Sequence, residues 1–266
     1  MDIPFSRWYS AIPHRVARRS FDYAELTSDS LAQIQTICQE FRPFSHVRAE
    51  LSIKSPEKVF KGFPFGSIMK VTGAPAFIAL IGDKGDPNVN EKVGYLGEGI
   101  ILEATAIGLA TCWVGGFFHR DIAEAFIGAG EDERVFAVTP IGHALEKFSF
   151  KEKIMKGFSK GPKRKPIAEI VSGLEQVDWP NWMQTALEAA RLAPSANNMQ
   201  PWRFYLEPKS ITISVNKPEA LFGMFKRIDC GIALLHIEVA VLECGIKGQW
   251  QWLESPRVAK FAITDD

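Results

Sequence analysis

The residues with the most chemical content lie in one run, Ala193-Pro194-Ser195-Ala196-Asn197-Asn198-Met199-Gln200-Pro201-Trp202. Ser195, Asn197, Asn198 and Gln200 set a hydroxyl and three carboxamides on a backbone stiffened by two prolines, and these groups both donate and accept hydrogen bonds. Such a set suits the polar edge of a fused heteroaromatic ring, the pyrimidine edge of a flavin being one example. The same residues also suit an ordinary helix-to-strand loop, in which Asn and Ser bond their own backbone and Pro punctuates.

The elements that must position this run are legible from apolar periodicity. Thr27-Ser28-Asp29-Ser30 is an N-cap cluster before a helix from Leu31 to Phe41, and residues 42–70 read as irregular. Ala74–Ile81 is a buried strand ended by a Gly-Asp-Pro turn. A long apolar helix runs from about Val93 to Leu109 into a glycine turn, followed by a helix at Arg120–Ile127 and a strand at Val135–Ile141. Trp182–Leu192 is the helix that delivers the polar loop. Trp202–Leu206 and Ile211–Val215 form a hairpin, and Gly231–Cys244 is a second long apolar helix.

The second long helix echoes the first. Gly94, Gly108 and Trp113 recur as Gly231, Gly245 and Trp250, all at an offset of 137 positions. A constant offset suggests an internal duplication, with halves at about 1–165 and 166–266. Such a chain imitates a two-fold dimer: the two long helices pack at the pseudo-axis, and sites at the seam draw residues from both halves.

Composition removes several classes. Lys plus Arg equals Asp plus Glu at 31 each, so no global field favours nucleic acid or a membrane. Lys151, Lys153, Lys156, Lys160, Lys163, Arg164 and Lys165 form a local basic stretch among glycines, read as a linker or lid. Cys38, Cys112, Cys230 and Cys244 are scattered, which fits reduced thiols and neither a zinc site nor a disulfide framework. With no secretory signal and no spanning segment, the expectation is a cytoplasmic protein. No GxGxxG follows a strand, so a Rossmann nicotinamide domain is not indicated, and the five histidines are taken as structural.

Assembled, these segments resemble the nitroreductase family of flavin-dependent oxidoreductases. Arg18-Arg19-Ser20 is similar to the family's phosphate-binding Arg-x-Ser. Gly108-Leu109-Ala110-Thr111-Cys112-Trp113-Val114-Gly115-Gly116-Phe117 resembles its glycine turn beside the isoalloxazine. Lys163-Arg164-Lys165-Pro166 is similar to its basic-Pro segment, and Ser195–Trp202 to its Ser-x-x-Asn-x-Gln-Pro-Trp signature. The order departs from the family: after the helix ending at Phe41 comes Arg42-Pro43-Phe44-Ser45 and no Ser-Asn loop, while the second half lacks an Arg-x-Ser start and stops soon after Trp250. The organisation resembles a branch in which two nitroreductase-like repeats share one chain.

The resemblance implies an α+β nitroreductase-like fold, with a mainly antiparallel central sheet flanked by helices, and one FMN at the seam of the repeats. Arg18 and Arg164, then Arg19 and Ser20, would take the phosphate; Lys70 matches a lysine near the flavin. Val114, Gly115 and Gly116 would bring backbone to the ring, a main-chain N–H near Gly115 facing N5. Pro194, Ser195, Ala196, Asn197, Asn198 and Gln200 would line its polar edge. Asp22 stands where the family is often basic. Phe117, Phe118 and Trp202 are candidates for the substrate face, Trp202 equally for the core. No side chain is assigned as catalytic. The implied reaction is a ping-pong reduction of nitroaromatic, quinone or related acceptors by NAD(P)H, in a monomer built as a pseudo-dimer. The alternative is a catalytically silent flavin-binding or interaction protein on the same fold.

Overall fold

The computed structural model describes residues 1–61, 70–146, 163–217 and 223–264. Its helices are α1 (Phe5–Ala11), α2 (Ser28–Glu40), α3 (Pro56–Phe60), α4 (Val89–Ala106), α5 (Arg120–Ile127), α6 (Ile167–Ile170), α7 (Asn181–Arg191) and α8 (Gly223–Glu243). Its strands are β1 (Val47–Ser52), β2 (Ala76–Asp83), β3 (Ala110–Thr111), β4 (Glu133–Gly142), β5 (Val171–Gly173), β6 (Trp202–Glu207), β7 (Ser210–Val215), β8 (Gly248–Trp252) and β9 (Arg257–Ile263).

The class is α+β, with the strands divided between two sheets. One has the order β1-β2-β4-β3 and is antiparallel throughout; the other has the order β5-β6-β7-β9-β8, antiparallel except where β5 runs parallel to β6. Without β5, the two halves share one plan: helix, two antiparallel strands, long helix, then two strands of which the later lies inside. The equivalent series are α2-β1-β2-α4-β3-β4 and α7-β6-β7-α8-β8-β9.

The long helices α4 and α8 pack against each other because glycine removes the side chains where they cross. A β-carbon on Gly94 would collide with the carbonyl of Ile228, and one on Gly231 with the carbonyl of Glu91. Both helices leave through a glycine in the left-handed region, Gly108 (φ +81°) and Gly245 (φ +72°), which turns the chain into β3 and β8. Each indole that follows is tied to its own half's long helix: Trp113 Nε1 donates to Glu98 Oε2 (2.8 Å), Trp250 Nε1 to Glu238 Oε2 (2.6 Å).

Several elements differ from the sequence reading. The N-terminal stretch, to which the sequence reading assigned no element, contains α1, held because Trp8 is fully buried and its Nε1 donates to Glu103 Oε2 (2.8 Å). The span 42–70 contains β1 and α3. β1 alternates Ala49 inward and Glu50 outward beside β2, a half-polar pattern too short to stand out against its neighbours. α8 starts at Gly223, eight residues before Gly231. The chain after Trp250 completes the second sheet with β9, whose Val258 and Phe261 are core residues. In the basic stretch, 151–162 lie outside the described residues, and 163–165, without regular secondary structure, bond the polar loop. All four cysteines are free.

Candidate functional site

The polar loop follows α7, whose apolar face (Met183, Ala186, Leu187, Ala190) is buried against α8. Asn197, Asn198 and Gln200 adopt positive φ of +51°, +54° and +50°. Asn tolerates this region by bonding locally, whereas for Gln it is a strained position that surrounding contacts must hold. Those contacts come from 163–165. Arg164 donates to Asn198 Oδ1 (3.0 Å) and the Leu192 carbonyl (2.7 Å). Asn198 Nδ2 and Gln200 Nε2 donate to the Lys163 carbonyl, the Lys165 N–H donates to Gln200 Oε1 (2.8 Å), and Lys165 Nζ reaches the carbonyls of Met199 and Gln200.

The amides of Asn198 and Gln200 therefore fasten the basic segment to the loop. Gln200 is buried, and its N–H donates to Ser195 Oγ (2.9 Å). Asn197 is exposed, and Ser195 keeps its hydroxyl proton for another partner. From α8, the Asp229 carboxylate accepts the Ala196 N–H at 3.1 Å from each oxygen. Burial pushes the Asp229 carboxyl up to about 8, and that one N–H opposes the shift.

The Arg18-Arg19-Ser20 segment lies along the edge of the first sheet. Ala17 bridges Thr111 of β3, Ser20 bridges Thr72, and Phe21 bridges Ala144. The Arg18 N–H donates to the Thr111 carbonyl, the Thr72 N–H to the Arg19 carbonyl, and an Arg18 guanidinium N–H to the Leu145 carbonyl (2.6 Å). Lys70 is exposed two residues before Thr72. Val114 pairs with Val138 in both directions (2.9 and 3.0 Å), which fixes the backbone entering Gly115 and Gly116; Gly116 is exposed. Phe117 is exposed, while Phe118 is buried with Arg120 over its ring, and Trp202 is fully buried in the core.

A buried carboxylate joins these pieces. Glu98, fully buried on α4, accepts from Trp113 Nε1, two residues before Gly115; its other oxygen lies 3.0 Å from His236 Nε2 and 3.6 Å from Arg15 Nε. His236, also fully buried on α8, turns Nδ1 to the Ala189 carbonyl of α7 (2.8 Å). The Arg164 pKa is lowered to about 10, chiefly by burial and also by the like charges of Arg15 and Arg191, with Glu98 opposing the shift. Arg15 Nε is buried and makes no hydrogen bond. Arg15 and Arg164 thus bring two guanidiniums to the seam, one of them with an Nε that has no hydrogen-bond partner, and guanidinium donors suit an anion such as a phosphate.

Sequence reasoning missed Arg15, Glu98, Asp229 and His236. The available signal was an ionisable side chain inside each long apolar helix, which demands a buried partner. Among the described residues, no group of His, Cys, Asp and Glu is arranged to hold a metal ion, and no helix is long and apolar enough to cross a membrane.

The fold is that of a nitroreductase-type protein. The family model described as "Putative TM nitroreductase" matches residues 7–241, and the chain belongs to that family, a family of oxidoreductases. A "putative nitroreductase" from Thermotoga maritima superimposes with a TM-score of 0.65 at 20% identity, covering 96% of this chain and 93% of that one. A nitroreductase family protein from Clostridium difficile 630 gives a TM-score of 0.46 at 18% identity over 62% of this chain and 96% of that one. The "Probable NAD(P)H nitroreductase PigM" of Serratia sp. (strain ATCC 39006) is 31% identical over 78 residues, which are 27% of this chain and 22% of that protein.

Proposed function

We propose that the protein is an FMN-dependent oxidoreductase that reduces nitroaromatic, quinone or related acceptors with NAD(P)H, working as an internally duplicated monomer. The observation that carries this reading is a pair of guanidiniums at the seam: Arg15, whose Nε lies 3.6 Å from Glu98 and makes no hydrogen bond, and Arg164, which is bonded to the Ser195 loop through Asn198. FMN, when bound, supplies the two-electron chemistry, taking hydride from NAD(P)H in one half-reaction and giving it to the acceptor in the next.

The chain's own part is to bind, orient and exclude. Arg164 and Arg15 offer guanidinium donors to a phosphate; Arg18, Arg19 and Ser20 are the further candidates, with exposed Lys70 at the rim. Since Asn198 and Gln200 bond residues 163–165, the groups left to the ring edge are the Ser195 hydroxyl and the Asn197 amide, on a loop shaped by Pro194 and Ala196. Val114, Gly115 and Gly116 present backbone to the ring, and exposed Phe117 stands beside them. The matching order of helices and strands in the two halves supports duplication.

The test is the visible spectrum of the purified protein before and after FMN addition and desalting, followed by anaerobic NADH or NADPH and then a quinone. Flavin bands that bleach with nicotinamide and return with quinone are expected. Bound FMN with nicotinamide oxidation at background would replace this reading with a silent flavin-binding protein, and a chain that never retains FMN would remove the cofactor altogether.

A further inference from the structure

The two halves meet at two related seams, and only one keeps the residues discussed above. Helix α2 ends at Glu40 and α7 at Arg191, and in both the third residue onward is proline, Pro43 and Pro194. The residue after each proline is Phe44 in the first half and Ser195 in the second. The offset of 137 that relates Gly94, Gly108 and Trp113 to Gly231, Gly245 and Trp250 also relates Gly115 to Trp252, and Lys92 to Asp229. It is anchored physically: the first pair marks the helix crossing, and the second has left-handed φ in both members; each indole of the third pair donates to a glutamate of its own long helix, Glu98 or Glu238, which stand 140 positions apart.

At the second seam the counterparts touch. The Phe44 ring lies 5.5 Å from Trp252, centroid to centroid at 63°, and 5.2 Å from Tyr95. Lys92 Nζ sits 5.9 Å from the Phe44 centroid and 5.8 Å from that of Trp252, and it pairs with Asp86 at 2.6 Å. A loop residue of one half, Phe44, therefore meets the last residue of the other half's β8, Trp252, across this seam. Carried to the other seam, the same correspondence matches Phe44 with Ser195 and Trp252 with Gly115, so a hydroxymethyl group and a hydrogen replace a benzyl and an indolylmethyl group. Two small residues thus correspond to the two rings of the plugged seam, a replacement that suits one flat ring system.

Building on the flavin reading, we propose that the Ser195–Gly115 seam is the protein's single ring-binding slot and that Phe44 and Trp252 permanently seal its counterpart, so that each chain holds one isoalloxazine. Asp229 at the open seam buttresses the loop through the Ala196 N–H, whereas Lys92, its equivalent, covers the plug.

The experiment is titration of apo-protein with FMN, read by flavin absorbance and fluorescence quenching, for the wild type, Trp252→Leu, Ser195→Phe and Gly115→Trp. One FMN per chain, retained within about twofold in affinity by Trp252→Leu and lost by at least about 100-fold in Ser195→Phe or Gly115→Trp, is the expected result. Circular dichroism shows whether each variant is folded, and Ser195→Phe, on a partly exposed loop, remains informative where Gly115→Trp fails to fold. Two FMN per wild-type chain, or loss of FMN in folded Trp252→Leu, overturns the sealed seam while leaving the flavin reading intact. A wild type that binds none overturns the flavin reading itself.

Discussion

Gly94 and Gly231 lie at the crossing of the two longest described helices, each facing the backbone of the other: Gly94 faces Ile228 and Ile232, and Gly231 faces Glu91. The contact is backbone on backbone, so neither position has room for a methyl group. Gly94→Ala and Gly231→Ala should each cost about 1–3 kcal/mol through overpacking, seen as a lower urea midpoint with little change in slope. A cost within about 0.5 kcal/mol would mean that the helices separate easily, and that the crossing does not set the seam.

Arg164 joins the basic segment to the loop and supplies charge at the seam. Arg164→Ala should weaken FMN binding by about 10–100-fold, the range of one or two charge-assisted hydrogen bonds. Riboflavin, which lacks the phosphate, should lose much less. Equal losses for both ligands would assign Arg164 to loop architecture alone.

Asp229 makes stability depend on pH in a defined direction. The unfolded carboxyl releases its proton near 4, and burial holds the folded one up to about 8. The contribution of this group is therefore complete below about pH 4 and is lost as pH rises toward 8. Asp229→Asn removes that loss, so its melting temperature relative to wild type should climb between pH 5 and pH 8. A difference that stays flat with pH would show that the carboxyl does not titrate there.

Glu98 holds Trp113, His236 and Arg15 in a buried network. Glu98→Leu should destabilise by about 3–5 kcal/mol, because Arg15 loses its counter-charge and the indole N–H loses its acceptor inside the protein. Glu98→Gln keeps an acceptor for Trp113 and should cost less. If thermal and urea unfolding rank the two variants equally, the carboxylate charge contributes nothing beyond its shape.

Glu133 offers an opposite pH dependence far from the seam. Its paired hydrogen bonds from Arg48 (2.5 and 2.7 Å) pull its carboxyl down to about 2. This stabilisation is present above the usual carboxylate range and is lost as pH falls toward 2. Glu133→Gln should therefore narrow the stability gap between pH 6 and pH 3, which acid titration of unfolding measures.

The sequence by itself determined the helices that deliver the site, the hairpin after the polar loop, the three glycine and tryptophan pairs and the family. These are properties of local spacing: an apolar stripe every three to four residues, a cap at Thr27, prolines flanking a loop. It missed β1, α1 and β9, because a short strand or helix with half-polar residues takes its stability from neighbours distant in the chain. Only the tertiary structure decided which amides are committed. Asn198 and Gln200 look as available as Asn197 in the sequence, yet residues 163–165, more than thirty positions away, bond the first two and leave the third exposed. The same holds for Phe44 and Trp252, unremarkable core-type residues until the packing of distant segments sets them ring against ring. Spacing along a chain fixes which face a residue takes; only the packing of distant segments fixes what that face meets.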